Sequence, residues 1–134
     1  MKGRDPQDMF ASVDLINEKI TELIRNSRQR TSDLKAVYDQ AAHILFPLAS
    51  HESASDKIMC NGGAILIGQG EYDKALEMLG NLVGREPAFR QAYFNYAVAL
   101  LHLGEEESAT AFFDHAAHFP EADNLLFAEL PHGG

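Results

Sequence analysis

The sequence predicts an all-α protein: a right-handed stack of antiparallel helix pairs, with about six helices and a short C-terminal cap. Three observations predict it. The segment 56–89 aligns without gaps on 90–123 at an offset of 34 residues, so Asn61 matches Asn95, Leu66 matches Leu100 and Ala75 matches Ala109. A repeat of that length is one supersecondary unit that buries its apolar face only against its neighbours. Gly70 and Gly104 fall at the same place in both copies, between apolar patterns of helical period. Such glycines end helices, because they adopt the left-handed conformation without strain.

Composition fits this class. The chain has 134 residues, 46% apolar and 23% charged, enough for one core without metal or disulfide staples. We expect a single domain over 1–134. No apolar run reaches the roughly 20 residues that span a bilayer, and the opening MKGRDPQDMF lacks the apolar core of a signal peptide. Cys60 is the only cysteine, which permits a reducing compartment. Together these features lead us to expect a cytoplasmic protein that does not insert in membranes. The net charge of −9 argues against nucleic acid as a partner. After Arg90 there is no Lys or Arg, while Glu105, Glu106, Glu107, Asp114, Glu121, Asp123 and Glu129 all follow. That acidic end either steers a basic partner or is a solvated face.

Taken in order, residues 1–7 are expected to be flexible, and 8–50 to form an N-terminal helical pair. Its first helix, 8–25, carries the stripe Met9, Phe10, Val13, Ile16, Ile20, Leu23 and Ile24. The connection NSRQRTS follows, where Thr31 or Ser32 can cap a second helix over 33–49. In that second helix Tyr38, Ala41, Leu45 and Leu48 lie 34 residues before Tyr72, Ala75, Leu79 and Leu82. It reads as half of an earlier, degenerate repeat. Helices are then expected near 56–69, 72–84, 90–103 and 106–118, the two pairs lying in units 56–89 and 90–123. Pro87 and Pro120 close the units, since neither can continue a helix. The remainder, 124–134, is a cap or tail. Leu125, Leu126, Phe127 and Leu130 suit a cap over the end of the second unit, the alternative being a free or partner-binding segment.

The stretch AYFNYAVALLHLGEEESATAFFDHAAHFP resembles a tetratricopeptide repeat (TPR). Tyr93, Tyr96, Ala97, Leu100, Gly104, Ala109, Phe113 and Ala116 stand where that family has large, large, small, large, turn glycine, small, aromatic and small residues. The preceding unit fits through Met59, Gly63, Leu66, Gly70, Tyr72, Ala75, Leu79 and Pro87. Gly62, Leu82 and Glu106 depart from the pattern, and Pro120 falls one place early. The resemblance implies a concave face lined by the first helix of each repeat. Carried over residue by residue, the peptide-binding groove comprises Lys57, Cys60, Asn61, Ala64, Ile67 and Gly68, then Gln91, Phe94, Asn95, Val98, Leu101 and His102. Phe94, Val98 and Leu101 form a second apolar stripe beside Tyr93, Ala97 and Leu100. Either the N-terminal helices cover it or a partner does. Asn61 and Asn95 suit the backbone of an extended peptide, since each amide offers donor and acceptor; they suit neighbouring helices equally. Lys57 is the row's only basic residue, so a partner recognised by an acidic C-terminus does not fit it.

Catalytic patterns are missing from the sequence. Gly62 and Gly63 lie inside a helix without the Lys of a phosphate loop. Each costs about 1 kcal/mol there relative to alanine. Gly63 reads as a close helix contact and Gly62 as local weakening. Cys60 reads as a small buried hydrophobe. His115 and His118 are three apart on one helix beside Asp114, a two-ligand face without a third ligand nearby, so no metal site is expected. The expectation is therefore a protein without cofactor and without enzymatic activity, an adaptor or chaperone holding a basic or apolar client. In architecture it resembles the small TPR chaperones of bacterial type III secretion. The alternatives are a self-associating homodimeric scaffold and, more remotely, a metal-dependent enzyme using His115 and His118.

Overall fold

The computed structural model describes residues 6–30, 33–49 and 54–131, and their side chains from Val13 onward except that of Arg30. Among these residues there are six helices: α1 Pro6–Arg30, α2 Leu34–Ala49, α3 Asp56–Gly68, α4 Tyr72–Val83, α5 Arg90–His102 and α6 Glu106–Ala116. No strand occurs among the described residues. Of the expected flexible stretch 1–7, residues 6 and 7 belong to α1; the rest of it, the Thr31 or Ser32 cap and the side chains of Met9 and Phe10 lie outside the described residues. α1 is longer than the expected 8–25. Its helix takes up most of NSRQRTS, so the link to α2 is short.

Each later helix has a local cause. Ser55 caps α3, its Oγ accepting from Ile58 N at 3.2 Å, with Asp56 in the first turn. Gly70 and Gly104 end α3 and α5 with φ of 81° and 83°. Behind them Glu71 N donates to Leu66 O (2.8 Å) and Glu105 N to Leu100 O (2.9 Å). These are the six-to-one bonds of a Schellman turn. The result is two tight helix hairpins, α3 with α4 and α5 with α6, stacked through α4 and α5. Pro47 sits in the last turn of α2, where the helix ends two residues later.

Small residues set the packing distance. Ala75, Ala97 and Ala109 are buried at the helix contacts, with Leu79 and Leu82 filling the space between. A Cβ at Gly63 would lie 2.4 Å from Leu79 Cγ, so this glycine lets α4 sit against α3. Gly68 does the same for the Tyr38 ring, 2.5 Å from where its Cβ would stand. α3 is buried from Ile58 to Ile67, because α2 and α4 flank it and α1 crosses its inner side.

Candidate functional site

The concave face is a channel with α3 as floor, α5 as one wall and α1 as the other. The chain itself fills it. After α6 the backbone turns at Asn124, whose φ is 60°, a conformation asparagine tolerates better than most residues. It then runs through the channel alongside α5. This differs from the expected cap over the second repeat: the segment lies along the inner face, not across the end.

Amide side chains hold this segment by its main chain. Gln91 Nε2 donates to Ala122 O (2.8 Å), and Ala122 N donates to Gln91 Oε1 (2.9 Å). Asn95 repeats the pattern one turn on, Nδ2 donating to Leu126 O (3.0 Å) while Oδ1 accepts from Ala128 N (2.8 Å). From the floor, Asn61 Oδ1 accepts from Leu126 N at 2.9 Å. Asn61 Nδ2 donates to Asn17 Oδ1 (2.7 Å) and Thr21 Oγ1 (2.9 Å) on α1. Thr21 Oγ1 in turn lies 3.0 Å from Asn17 O and 2.9 Å from Asn124 O, sharing its proton between them. Arg25 donates to Leu125 O at 2.7 Å, and His102 Nε2 lies 2.9 Å from Glu129 O. Asn17, Thr21, Asn61, Gln91 and Asn95 are all buried, and no buried side-chain N or O atom among the described residues lacks a partner.

The spacing shows how stretched the segment is. From Gln91 to His102, α5 advances about 16 Å at about 1.5 Å per residue. The seven steps from Ala122 to Glu129 cover the same distance at about 2.3 Å each, well above a helical rise. Its side chains then find separate places. Leu125 and Leu126 are fully buried, and Phe127 meets Phe94 edge-on with centroids 4.9 Å apart. The Glu129 carboxylate lies 3.5 Å from Arg28 Nε. Arg28 also donates to Tyr38 Oη, from Nε at 3.0 Å and Nη2 at 2.7 Å. Burial pushes the Tyr38 phenol up to about 12, against the lowering effect of Arg28.

Of the residues carried over from the sequence, Asn61, Gln91, Asn95 and His102 bond the segment directly. Phe94 touches it and also packs edge-on against Phe113 at 5.1 Å. Cys60, Ala64, Ile67 and Val98 are buried in the channel's floor and wall, and Leu101 is half-buried. Cys60 Sγ accepts from Asn95 Nδ2 at 3.4 Å, and burial pushes its thiol far above the ordinary range. Lys57 is exposed. Residues 63–124 match a family model described as tetratricopeptide repeat. The repeats are tetratricopeptide repeats. No curated protein and no solved structure matches the chain. TPRs mediate protein–protein interaction, and here the inner helices α3 and α5 present the side chains that grip a main chain.

The TPR pattern alone did not point to the α1 wall. Asn17, Thr21, Arg25 and Arg28 stand outside the repeats, yet they bring a polar row and two cations to the groove. The groove is thus more basic than its α3 and α5 residues suggest. Asn17 and Thr21, one turn apart beside the Ile20 and Ile24 stripe, were the available signal, since polar residues flanking a buried stripe need partners. His115 and His118 lie apart from this site. The His115 ring packs edge-on against Tyr93 (4.6 Å) and Phe119 (5.2 Å), and no cluster of three or more metal-ligating residues forms among the described ones. No helix among the described residues is long and apolar enough to cross a membrane.

Proposed function

We propose that this TPR protein is a non-enzymatic cytoplasmic adaptor or chaperone whose groove holds an extended segment of a protein client. The observation that carries the reading is the paired amide contact of Asn95 with Leu126 O and Ala128 N. A side-chain amide aligned on a main-chain carbonyl and N–H recognises an extended backbone of almost any sequence. Cys60, free and buried, suits a reducing compartment. The client's side chains are apolar where Leu125 and Leu126 sit, and acidic where Arg28 lies. To the basic or apolar client expected from the sequence this reading adds a carboxylate opposite Arg28, on the local charge of the groove.

The test is photo-cross-linking in the native host with a photoreactive residue in place of Leu101, at the groove rim, and separately in place of Met78 on α4. Client peptides captured from position 101 and not from 78 support the reading; capture from 78 alone overturns it. A second reading, self-association, is favoured by Leu15 and Leu23, which are 53% and 42% exposed on α1, and by Ile44, 52% exposed on α2. A mass that stays monomeric in light scattering as concentration rises would remove it.

A further inference from the structure

We infer that residues 122–130 are a built-in occupant of the groove, displaced by a partner bearing an extended segment of the same chemistry. That segment carries two adjacent leucine-sized side chains, then an aromatic, a small residue and a carboxylate. The inference rests on the groove being the client site proposed above. Every hydrogen bond described between Gln91, Asn61, Asn95, Thr21, Arg25 or His102 and the segment goes to its main chain. Another extended peptide offers the same groups, so these bonds do not reserve the groove for this sequence. Selection falls to side chains: the buried Leu125, Leu126 and Ala128, the Phe127 ring against Phe94, and Glu129 against Arg28.

The segment also leaves contact area unused. Leu130 is 50% exposed, and beside it a cleft of about 260 Å³ lies among Lys35, Ile67, Gly68 and Tyr72. An intramolecular occupant has the advantage of a high effective concentration. A partner overcomes it by filling that cleft more completely than Leu130 does. The partner's apparent affinity is then its intrinsic affinity reduced by the fraction of molecules whose groove is open.

The probe is a fluorescent synthetic peptide with the sequence of residues 122–131, followed by anisotropy. It is titrated with the full chain, with full-length Leu126→Asp, and with Leu126→Asp carrying Asn95→Ala. A carboxylate at the buried position 126 expels the segment. The expected result is binding at least tenfold tighter to Leu126→Asp than to the unaltered chain, lost at least tenfold on adding Asn95→Ala. Equal affinity for the unaltered chain and Leu126→Asp, with Asn95→Ala still weakening it, overturns self-occupancy and leaves the client groove standing. A Leu126→Asp chain that keeps its helical circular dichroism and binds no peptide overturns the groove itself. Concentration-dependent dimers abolished by Leu126→Asp identify the occupant as a second copy's segment and overturn the intramolecular form. Should Leu126→Asp not fold, amide exchange on the unaltered chain decides. Leu126 and Ala128 amides that open before those of α3 and α5 support displacement; exchange only on global unfolding overturns it.

Discussion

Asn95 ties the segment and the floor of the groove to α5 through one amide, bonding Leu126 O, Ala128 N and Cys60 Sγ. Replacing it by alanine leaves a buried N–H and a buried carbonyl without partners, each costing about 1–3 kcal/mol. Local opening of the segment rehydrates those groups, so Asn95→Ala is expected to lower stability by about 2 kcal/mol, measured by urea unfolding. Tyr38 makes a different residue-scale prediction. Its phenol is raised from 10.0 to about 12 by burial, so the folded state favours the neutral form. Below pH 10 neither state ionises and this contribution to stability is complete. Between pH 10 and about 12 the unfolded chain ionises first, and the contribution is lost as pH rises through the folded value. Thermal melts across this range should therefore fall more steeply for the natural chain than for Tyr38→Phe. At pH 8 the variant should be the less stable, since Arg28 loses its phenol acceptor.

At the scale of the element, α3 contains a pair of glycines with opposite expectations. Alanine in a helix gains about 1 kcal/mol over glycine. At Gly63 the added Cβ would lie 2.4 Å from Leu79 Cγ, a branch point in a filled core, and overpacking of about 1–3 kcal/mol outweighs the gain. At Gly62 the nearest atom is Met78 Sδ at 2.8 Å, near the end of a flexible side chain that can turn aside. Gly63→Ala should thus melt lower than the natural chain, and Gly62→Ala at the same temperature or higher. By the same packing argument, Ala75→Leu or Ala109→Leu should reduce the melting temperature more than any single histidine substitution, because both alanines are buried at helix contacts. These elements were legible in the sequence because small residues, turn glycines and apolar stripes recur at the 34-residue offset. The path of residues 122–130 was not. An extended segment leaves no periodic mark in sequence, and its bonds come from residues up to 103 positions away. What sequence offered was the need: Asn61 and Asn95, at equivalent inner positions, had to find backbone partners once buried.

For the whole molecule, the question is whether the segment in the groove belongs to the core or rests on it. Burying Leu125 and Leu126 contributes about 1.5–3 kcal/mol each. The eight main-chain groups bonded by the groove add about 0.5–1.5 kcal/mol apiece. Against this, ordering Ala122 to Leu130 costs about 1–2 kcal/mol per residue. Both sides come to roughly 13 kcal/mol at mid-range, so docking is close to balanced. Removing everything after Glu121 deletes both sides at once, and the polar groove side chains it uncovers regain water. The bond from Arg90 N to Pro120 O survives, keeping the end of the second repeat closed. The truncated chain should therefore keep its helical circular dichroism and lose no more than about 2 kcal/mol in urea unfolding. A truncated chain that fails to fold would show instead that the segment is a structural element, as necessary to α3 and α5 as α4 is.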